Sequence, residues 1–599
     1  MTNKPFDLRE LLSVPSVDTD GGFDISPDGQ FAAFSWNPTG QWEIYELDLK
    51  SGGAPRKVTN GSGAKFAPRY SPDGSVLGYA CDEDGSEAYD LYTWNRSTGI
   101  HTNLTPDTAY AHLPAMCWSP EGNEIALLAD SDGVFKTYIM AYPGGETRLV
   151  LDNPKPAYEV RWARNGKKLA VLAATSGQDF GIIIVNLESG ENQYLGGCEH
   201  PLNARGPRWL PDGKLIFTSD QQGFYDIGIF NPETDEIQWV THNSSDKEHP
   251  QPSPDGKQAA YISTSGVFTK ICCLDLLSCE SRTFEHEPGV HYAPRFTPDG
   301  KKLMFIFDNP RQPADLWSLD LQEGLFTKLT HSLPIDLEER GFVMPQAVSY
   351  PSSDGIPVPA LLFRPQVEGA LPPAVIIVHG GPAWLFQYTW YPIMAHMASR
   401  GWVVLAPNYR GSTGYGRWWQ NANQFDIGGV DARDVTAGAD FLVREGIADP
   451  ERIGITGRSH GGYLTMTCLT RYPEKWAAGS AVVPFLNMFT AHANSRDDLQ
   501  YWDIQVMGDP IENEELWHDR SPYFFLDKLS APVQMICGAN DVRCPAVDSI
   551  EARDRMAALG KELDFYLYKD EGHAFLKKEN LIDSEVRRVA FLARYLEGR

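Results

Sequence analysis

Hydrophobic positions follow two different patterns, one in each half of the chain. Before about residue 340, short apolar and β-branched runs such as 214–218 and 302–307 alternate with turn residues. Later, fully apolar runs such as 374–378 alternate with segments such as 434–444, whose apolar residues recur at helical spacing. The first pattern is typical of antiparallel β-structure. The second predicts a mainly parallel sheet with helices on both faces.

A Pro-Asp-Gly turn recurs through the first half. It occurs five times, and two degenerate copies, 120–122 and 164–166, fill the one wide gap. Successive turns are 43–48 residues apart, about the length of one four-stranded blade of a β-propeller. Seven turns therefore predict seven blades, and a pair of β-sandwiches with unrelated turns is the weaker alternative.

One serine of the second half has the sequence context of a nucleophile. Residues 457–462 (GRSHGG) fit the pattern G-x-S-x-G, between a predicted strand and a predicted helix. That context exposes the serine oxygen at the edge of a sheet and places a helix N-terminus beside it. Ser459 is therefore the candidate nucleophile, and a serine that merely caps the helix is the alternative.

His573 and Asp541 are the candidates for the base and for the acid that orients it. His573 follows the predicted strand 564–568, and Asp541 follows the predicted strand 533–537. Both are therefore expected at the sheet edge that carries Ser459. The chain order Ser, Asp, His is that of the α/β-hydrolases. A solvated-loop role for His573 is the alternative.

An oxyanion formed at Ser459 would need hydrogen-bond donors. The backbone N–H of His460, which follows the nucleophile, is one expected donor. The turn 379–382 (HGGP) ends another predicted strand, and its glycines would let backbone N–H groups approach a ligand closely. A plain Gly-Pro turn is the alternative.

These patterns predict an N-terminal seven-bladed β-propeller and a C-terminal α/β-hydrolase domain with a doubly wound, mostly parallel sheet. We expect the propeller at 18–337 and the hydrolase domain at 338–599. Residues 1–17 lie outside the repeat and are expected to pack against the hydrolase domain.

Net charge and cysteine content limit the classes of partner and cofactor that we expect. The 599 residues carry a net charge of −27, which disfavours nucleic acid and membrane surfaces. Nine cysteines show neither metal-ligand spacing nor a disulfide framework, and the chain start lacks a secretory signal. We therefore expect a cytoplasmic protein without a metal or organic cofactor. The oligomeric state, including a homo-oligomer, stays open.

Five motifs together resemble the prolyl oligopeptidase family of serine peptidases, its acylaminoacyl-peptidase branch above all. After the propeller repeat they occur in order at 379–382 (HGGP), 407–416 (PNYRGSTGYG), 457–462 (GRSHGG), 540–543 (NDVR) and 571–573 (EGH). The resemblance covers nearly the whole chain.

The resemblance implies further site residues. The N–H of Gly381 would join that of His460 in the oxyanion hole, and Arg543 would bind a carbonyl of the substrate. An apolar specificity pocket would include Met488, Phe489, Leu499 and Trp502. Arg458, bulky and cationic beside the nucleophile, departs from the family pattern, and would either pair with an acidic neighbour or bias substrate charge.

The expected activity is cleavage of short peptides through an acyl-enzyme, with the propeller restricting substrate size. An esterase with the same triad and an exopeptidase of another end preference are alternatives. A non-catalytic binding protein is the weakest one. Dipeptidyl release is discounted because the glutamate pairs, Glu338-Glu339 and Glu514-Glu515, lie outside the propeller region that would hold the substrate amine.

Overall fold

The computed structural model describes residues 4–106, 108–199, 201–242, 244–365 and 369–598. Within these ranges, 28 strands form seven four-stranded antiparallel sheets, each built from four consecutive strands. These sheets are the blades of a seven-bladed β-propeller, so the prediction of blade number is confirmed.

The strands of the first four blades are β1 (Phe23–Ile25), β2 (Phe31–Trp36), β3 (Glu43–Asp48), β4 (Arg56–Lys57), β5 (Ala64–Tyr70), β6 (Val76–Asp82), β7 (Asp90–Asn95), β8 (His101–Asn103), β9 (Cys117–Trp118), β10 (Glu124–Ala129), β11 (Lys136–Ala141), β12 (Thr147–Leu151), β13 (Ala157–Trp162), β14 (Lys168–Ala174), β15 (Phe180–Asn186) and β16 (Asn192–Tyr194).

The strands of the last three blades are β17 (Ala204–Trp209), β18 (Leu215–Ser219), β19 (Asp226–Asn231), β20 (Glu236–Trp239), β21 (Lys247–Pro252), β22 (Gln258–Ser265), β23 (Phe268–Asp275), β24 (Ser281–Phe284), β25 (Val290–Phe296), β26 (Lys302–Asn309), β27 (Gln312–Asp320) and β28 (Phe326–Lys328).

The repeated turn joins the first strand of each blade to the second. All seven of its glycines have a positive φ, between 69° and 85°, which a glycine adopts without strain. First strands of neighbouring blades contact one another and surround the propeller axis. Apolar residues of adjacent blades share core clusters, so each sheet is covered on both faces by its neighbours.

An eight-stranded sheet follows the propeller. Its strands are β29 (Gln346–Pro351), β30 (Pro357–Phe363), β31 (Ala374–Val378), β32 (Val403–Pro407), β33 (Ile453–Arg458), β34 (Ala478–Val482), β35 (Val533–Gly538) and β36 (Leu563–Tyr568). Their order is β29-β30-β32-β31-β33-β34-β35-β36, parallel from β32 to β36 and antiparallel at the β29 edge. This is the predicted α/β-hydrolase arrangement.

The helices are α1 (Leu8–Ser13), α2 (Ile335–Arg340), α3 (Pro392–Ser399), α4 (Arg417–Gln420), α5 (Val430–Arg444), α6 (His460–Arg471), α7 (Met488–Asn494), α8 (Asp497–Met507), α9 (Glu514–Arg520), α10 (Ala546–Ala558) and α11 (Lys578–Leu596), with short 3₁₀ turns at Pro473–Lys475 and Pro522–Lys528. Large apolar clusters cover both faces of the sheet. Among the described residues, no helix combines the length and apolar character needed to cross a membrane.

The chain begins and ends its propeller at one place. Helix α1 packs against α3 and α11 of the hydrolase domain. Leu11 and Val14, which lead into the propeller, share an apolar cluster with Leu333, Leu337 and Phe342, which lead out of it. The two segments that connect the domains are therefore packed together.

Candidate active site

Ser459 occupies a sharp turn between β33 and α6. Its φ of 60° and ψ of −124° are strained for a residue with a side chain. The turn is tightly packed: a Cβ on Gly461 would lie 2.1 Å from the carbonyl oxygen of Val378, and one on Gly457 2.4 Å from Gly461. Glycine is thus required at both positions, and the turn holds Ser459 at the carboxyl edge of the sheet.

His573 and Asp541 are joined directly. The Nδ1 atom of His573 lies 2.9 Å from Oδ2 and 3.0 Å from Oδ1 of Asp541. Asp541 is buried, and its Oδ1 also accepts the backbone N–H groups of Arg543 and Cys544, at 2.9 and 2.8 Å. These donors fix the carboxylate, which in turn fixes the orientation of the imidazole.

Arg458 ties the histidine loop to the serine turn. Its guanidinium donates to the backbone carbonyl of His573 at 2.9 Å, and its Cζ lies 5.2 Å from the centre of the Phe575 ring. The carboxylate of Glu585 is 3.7 Å away. Burial lowers the pKa of Arg458, while the charge of Glu585 opposes that shift. Of the two roles considered from sequence, pairing with an acidic neighbour is the one that the geometry supports.

Ser459 and Cys544 line the same pocket. Among the described residues, the Ser459 side chain has no hydrogen bond to His573. Burial and the charge of Asp541 raise the pKa of the Cys544 thiol well above its usual range, and the nearby Ser459 opposes that rise. Ligand atoms of Asp541, Cys544 and His573 lie within 4.8 Å of one another. That spacing could hold a metal ion, but the hydrogen bond between Asp541 and His573 already occupies two of the three groups.

The glycine turn after β31 lies beside the serine. A Cβ on Gly380 would be 3.3 Å from the Cβ of Ser459, and Gly381 has a φ of 114° and lines the same pocket as Ser459. His379 is buried, and its Nε2 lies 2.8 Å from the hydroxyl of Ser412. Burial lowers the pKa of His379 to about 3, so its ring is a neutral structural group.

The ring of His460 points away from the serine. Its Nε2 lies 3.2 Å from Oδ2 of Asp431, inside the domain. The backbone of His460 begins helix α6 next to Ser459. This arrangement leaves the main chain, rather than the imidazole, beside the predicted oxyanion position.

A pocket of about 190 Å³ opens beside Ser459. Most of the predicted specificity residues line it: Met488, Leu499, Trp502 and Arg543. Phe489 is outside the lining set among the described residues; its ring packs on Trp517, 5.6 Å between centroids, and Trp517 forms the wall. Sequence reasoning missed Trp517, because α9 carries no motif that links it to the pocket.

The pocket also contains a carboxyl group. Asp503 lines it and accepts a hydrogen bond from Nδ1 of His492 at 3.0 Å. Burial raises the pKa of Asp503, and the neighbouring His492 opposes that shift. The pocket is therefore largely apolar with one paired acidic group.

Arg543 forms an ion pair with the propeller. Its Nε lies 2.7 and 3.0 Å from the two carboxylate oxygens of Glu87. Arg496, from the segment before α8, lies 3.7 Å from the same carboxylate. Glu87 is 456 residues from Arg543 in sequence and carries no motif, so no local signal could have revealed the contact.

Comparison with known proteins gives two family matches. Residues 388–599 match the prolyl oligopeptidase family, and residues 22–224 match the TolB beta propeller domain.

Two relatives and one solved structure align with most of the chain. Dipeptidyl aminopeptidase BIII of Pseudoxanthomonas mexicana is 30% identical over 96% of this chain and 86% of its own length. Acylamino-acid-releasing enzyme 1 of Oryza sativa subsp. japonica is 26% identical over 92% of this chain and 66% of its own. The crystal structure of puromycin hydrolase aligns with 99% of this chain and 97% of its own at a TM-score of 0.88 and 20% identity, which shows a shared fold.

Proposed function

The chain belongs to the prolyl oligopeptidase family and is a serine peptidase, and on that premise we propose that Ser459, His573 and Asp541 are its catalytic triad. The observation that carries the proposal is the fixed orientation of the His573 imidazole. Asp541 holds Nδ1 of His573 at 2.9 Å, while Arg458, next to Ser459, holds the backbone of His573 at the same distance.

The triad performs acyl transfer in two steps. The Ser459 hydroxyl turns toward His573, whose Nε2 takes the hydroxyl proton as the serine oxygen bonds to the scissile carbonyl carbon. The imidazolium then protonates the leaving amine and the C–N bond breaks. Water repeats the sequence on the acyl-enzyme, giving its proton to His573 and releasing Ser459 and the free acid. Asp541 keeps Nδ1 protonated and stabilises the imidazolium.

The backbone N–H groups of Gly381 and His460 form the oxyanion hole. Gly381 lines the pocket beside Ser459, and His460 begins α6, where the helix dipole adds positive potential. The side chain of His460 is engaged by Asp431 and does not compete for the substrate.

The substrates are short peptides that enter the chamber between the domains. That chamber is about 950 Å³ and is lined by both the propeller and the hydrolase domain, which supports size selection by the propeller. The smaller pocket beside Ser459 binds an apolar side chain at the scissile bond. Arg543 contacts a substrate carbonyl.

Removal of a blocked N-terminal residue is the cleavage that we favour. An acylamino-acid-releasing enzyme aligns with 92% of the chain. A dipeptidyl aminopeptidase is also a relative, but the propeller carboxylate Glu87 is already paired with Arg543 and Arg496. It is therefore not free to hold a substrate amine.

Mass-spectrometric mapping of products from a mixed peptide library tests this function. The library contains each sequence with a free and an acetylated N-terminus. We expect single N-acetylated residues as the main product, with cuts after apolar residues. Release of dipeptides from free N-termini would show that the enzyme is a dipeptidyl peptidase instead. Hydrolysis of simple aryl esters without peptide cleavage would replace it with the esterase alternative.

A further inference from the structure

The chamber between the domains has a cationic wall on its propeller side. Five propeller arginines line it, and four of them are the last-but-one residues of the first strands of their blades. These four form the arginine ring, which consists of Arg69 (β5), Arg161 (β13), Arg208 (β17) and Arg295 (β25). The fifth, Arg205 of β17, lies over the rings of Phe180 and Tyr225. The ring stands out in a chain with a net charge of −27.

A repeated backbone distortion accompanies the ring. In three of the four blades a residue with positive φ stands two positions before the arginine: Ala67 (52°), Gly206 (60°) and Ala293 (49°). The pairing register of the first strand shifts at the same place in each blade. Bulges of this kind redirect a side chain, and left-handed alanines cost energy, so the arrangement is maintained at some expense in stability.

Two carboxylates pair with three members of the ring. Glu159 lies 2.5 Å from both Arg161 and Arg208, and Asp24 lies 3.1 Å from Arg295. Ion pairs therefore leave an excess of two positive charges among the four arginines.

Arg69 is the member without a carboxylate partner among the described residues. Its guanidinium donates to the backbone carbonyls of Pro68 and Gly21, at 2.6 and 3.3 Å. Burial and the charge of Arg295 lower the pKa of Arg69 to about 9. A bound anion beside Arg69 would offset the repulsion between Arg69 and Arg295.

Among the described residues, the other carboxyl groups that line the chamber form no ion pair with the arginine ring. Burial is the main cause that raises the pKa of four of them, which favours their uncharged forms: Asp18, Asp20, Asp82 and Glu248. Glu87 is engaged by Arg543 at the hydrolase side.

We propose that the arginine ring binds a small oxyanion, either the C-terminal carboxylate of a peptide or inorganic phosphate. Planar guanidinium groups suit both, because each presents paired N–H donors to paired oxygens. The existing pairs with Glu159 and Asp24 orient three of the arginines, and Arg69 supplies the unneutralised charge. Bound there, a carboxylate would anchor the far end of a peptide within the chamber.

Calorimetric titration of the full chain with inorganic phosphate, in chloride buffer at constant ionic strength, gives the first test. We expect one phosphate per chain, and Arg69→Gln should weaken its binding by about tenfold or more. Arg282→Gln is the matched control, because Arg282 lies on an outer strand over Phe284 and donates to the Leu321 carbonyl. Glu159→Gln should act in the opposite direction and tighten binding, since it releases two arginines.

Kinetics on paired peptides identify the source of the anion. This arm alone rests on the peptidase function, and it compares one sequence with a C-terminal carboxylate and with a C-terminal amide. If the carboxylate is the ligand, Arg69→Gln should raise KM for the acid about tenfold, to the value for the amide, and leave the amide unchanged. If phosphate binding falls but neither peptide responds, the ligand is the free anion. If neither phosphate nor the peptide acid responds to Arg69→Gln, the proposal is wrong, whether or not the enzyme cleaves peptides.

Discussion

The propeller and the hydrolase domain place their charged and reactive side chains in different ways. The propeller uses repetition: the same strand position in four blades supplies an arginine. The hydrolase domain builds its candidate active site from single residues, since Gly381, Ser459, Asp541 and His573 follow four different strands. Losing one residue of a repeated set should weaken an interaction by degrees. Losing one of a unique set should stop the chemistry.

Ser459→Ala should have the largest effect, because it removes the oxygen that we propose as the nucleophile. We expect kcat to fall by about 10⁶-fold with the fold intact. Ser495→Ala is the matched control in the same pocket and should retain near-normal turnover. Labelling with a fluorophosphonate probe should disappear in the first variant only. Normal hydrolysis by Ser459→Ala would remove the distinction between the repeated and the single residues.

Asp308→Asn should change the stability of the contact between the domains. Asp308 in β26 accepts the N–H of Trp390 in the hydrolase domain at 3.2 Å, and burial raises its pKa to about 7. A raised pKa means that this carboxyl group stabilises the fold most below about pH 4, and that this stability is lost as pH rises through about 7. Asparagine cannot ionise, so the variant should gain up to about 4 kcal/mol over the parent by about pH 8.

Urea unfolding across this pH range measures the effect. Asp299→Asn, in the exposed turn of the same blade, is the control, because hydrogen bonds lower the pKa of Asp299 and its titration lies at acid pH. Parallel pH curves for the parent and Asp308→Asn would show that this carboxyl group does not titrate near neutrality.

Arg458→Met should reduce kcat by about tenfold while leaving KM nearly unchanged. The reason is loss of the hydrogen bond to the His573 carbonyl, which positions the proposed base. Arg587→Met is a matched control, since Arg587 also lies over an aromatic ring and pairs with an aspartate, Asp583. An equal loss in both variants, or a change in KM alone, would argue against a positioning role.

Glu87→Gln should have the smallest effect, a rise in KM of about threefold with kcat unchanged. Glu87 is the propeller residue that orients Arg543, so its loss should weaken substrate binding but leave the triad intact. Glu83→Gln, on the same blade, is the control. A drop in kcat instead would mean that this propeller contact acts on the catalytic residues themselves.

The sequence predicted those features that local chemistry determines. A Pro-Asp-Gly turn needs a positive φ wherever it occurs, so its spacing revealed seven blades. Apolar strands flanked by glycines predicted most of the parallel sheet, and 374–378 matches β31 at both ends. The family resemblance is confirmed by a relative that is 30% identical over most of the chain.

Contacts between distant segments were not predictable. Arg458 was noticed as unusual, but its bond to the His573 carbonyl depends on how two loops meet, 115 residues apart. The motif around Arg543 gave no indication of Glu87. Phe489 was expected in the pocket because it is apolar and close in sequence to Met488. Its position in α7 turns it toward Trp517 instead.

The shared cluster of Leu11, Val14, Leu333, Leu337 and Phe342 has a mechanical consequence. Both covalent links between the domains pass through this cluster, so it holds the two domains together at one side. We therefore expect any separation of the two domains to be smallest at this cluster. The opening between the propeller and the hydrolase domain should then be widest on the side opposite the cluster. We expect peptides to enter on that side.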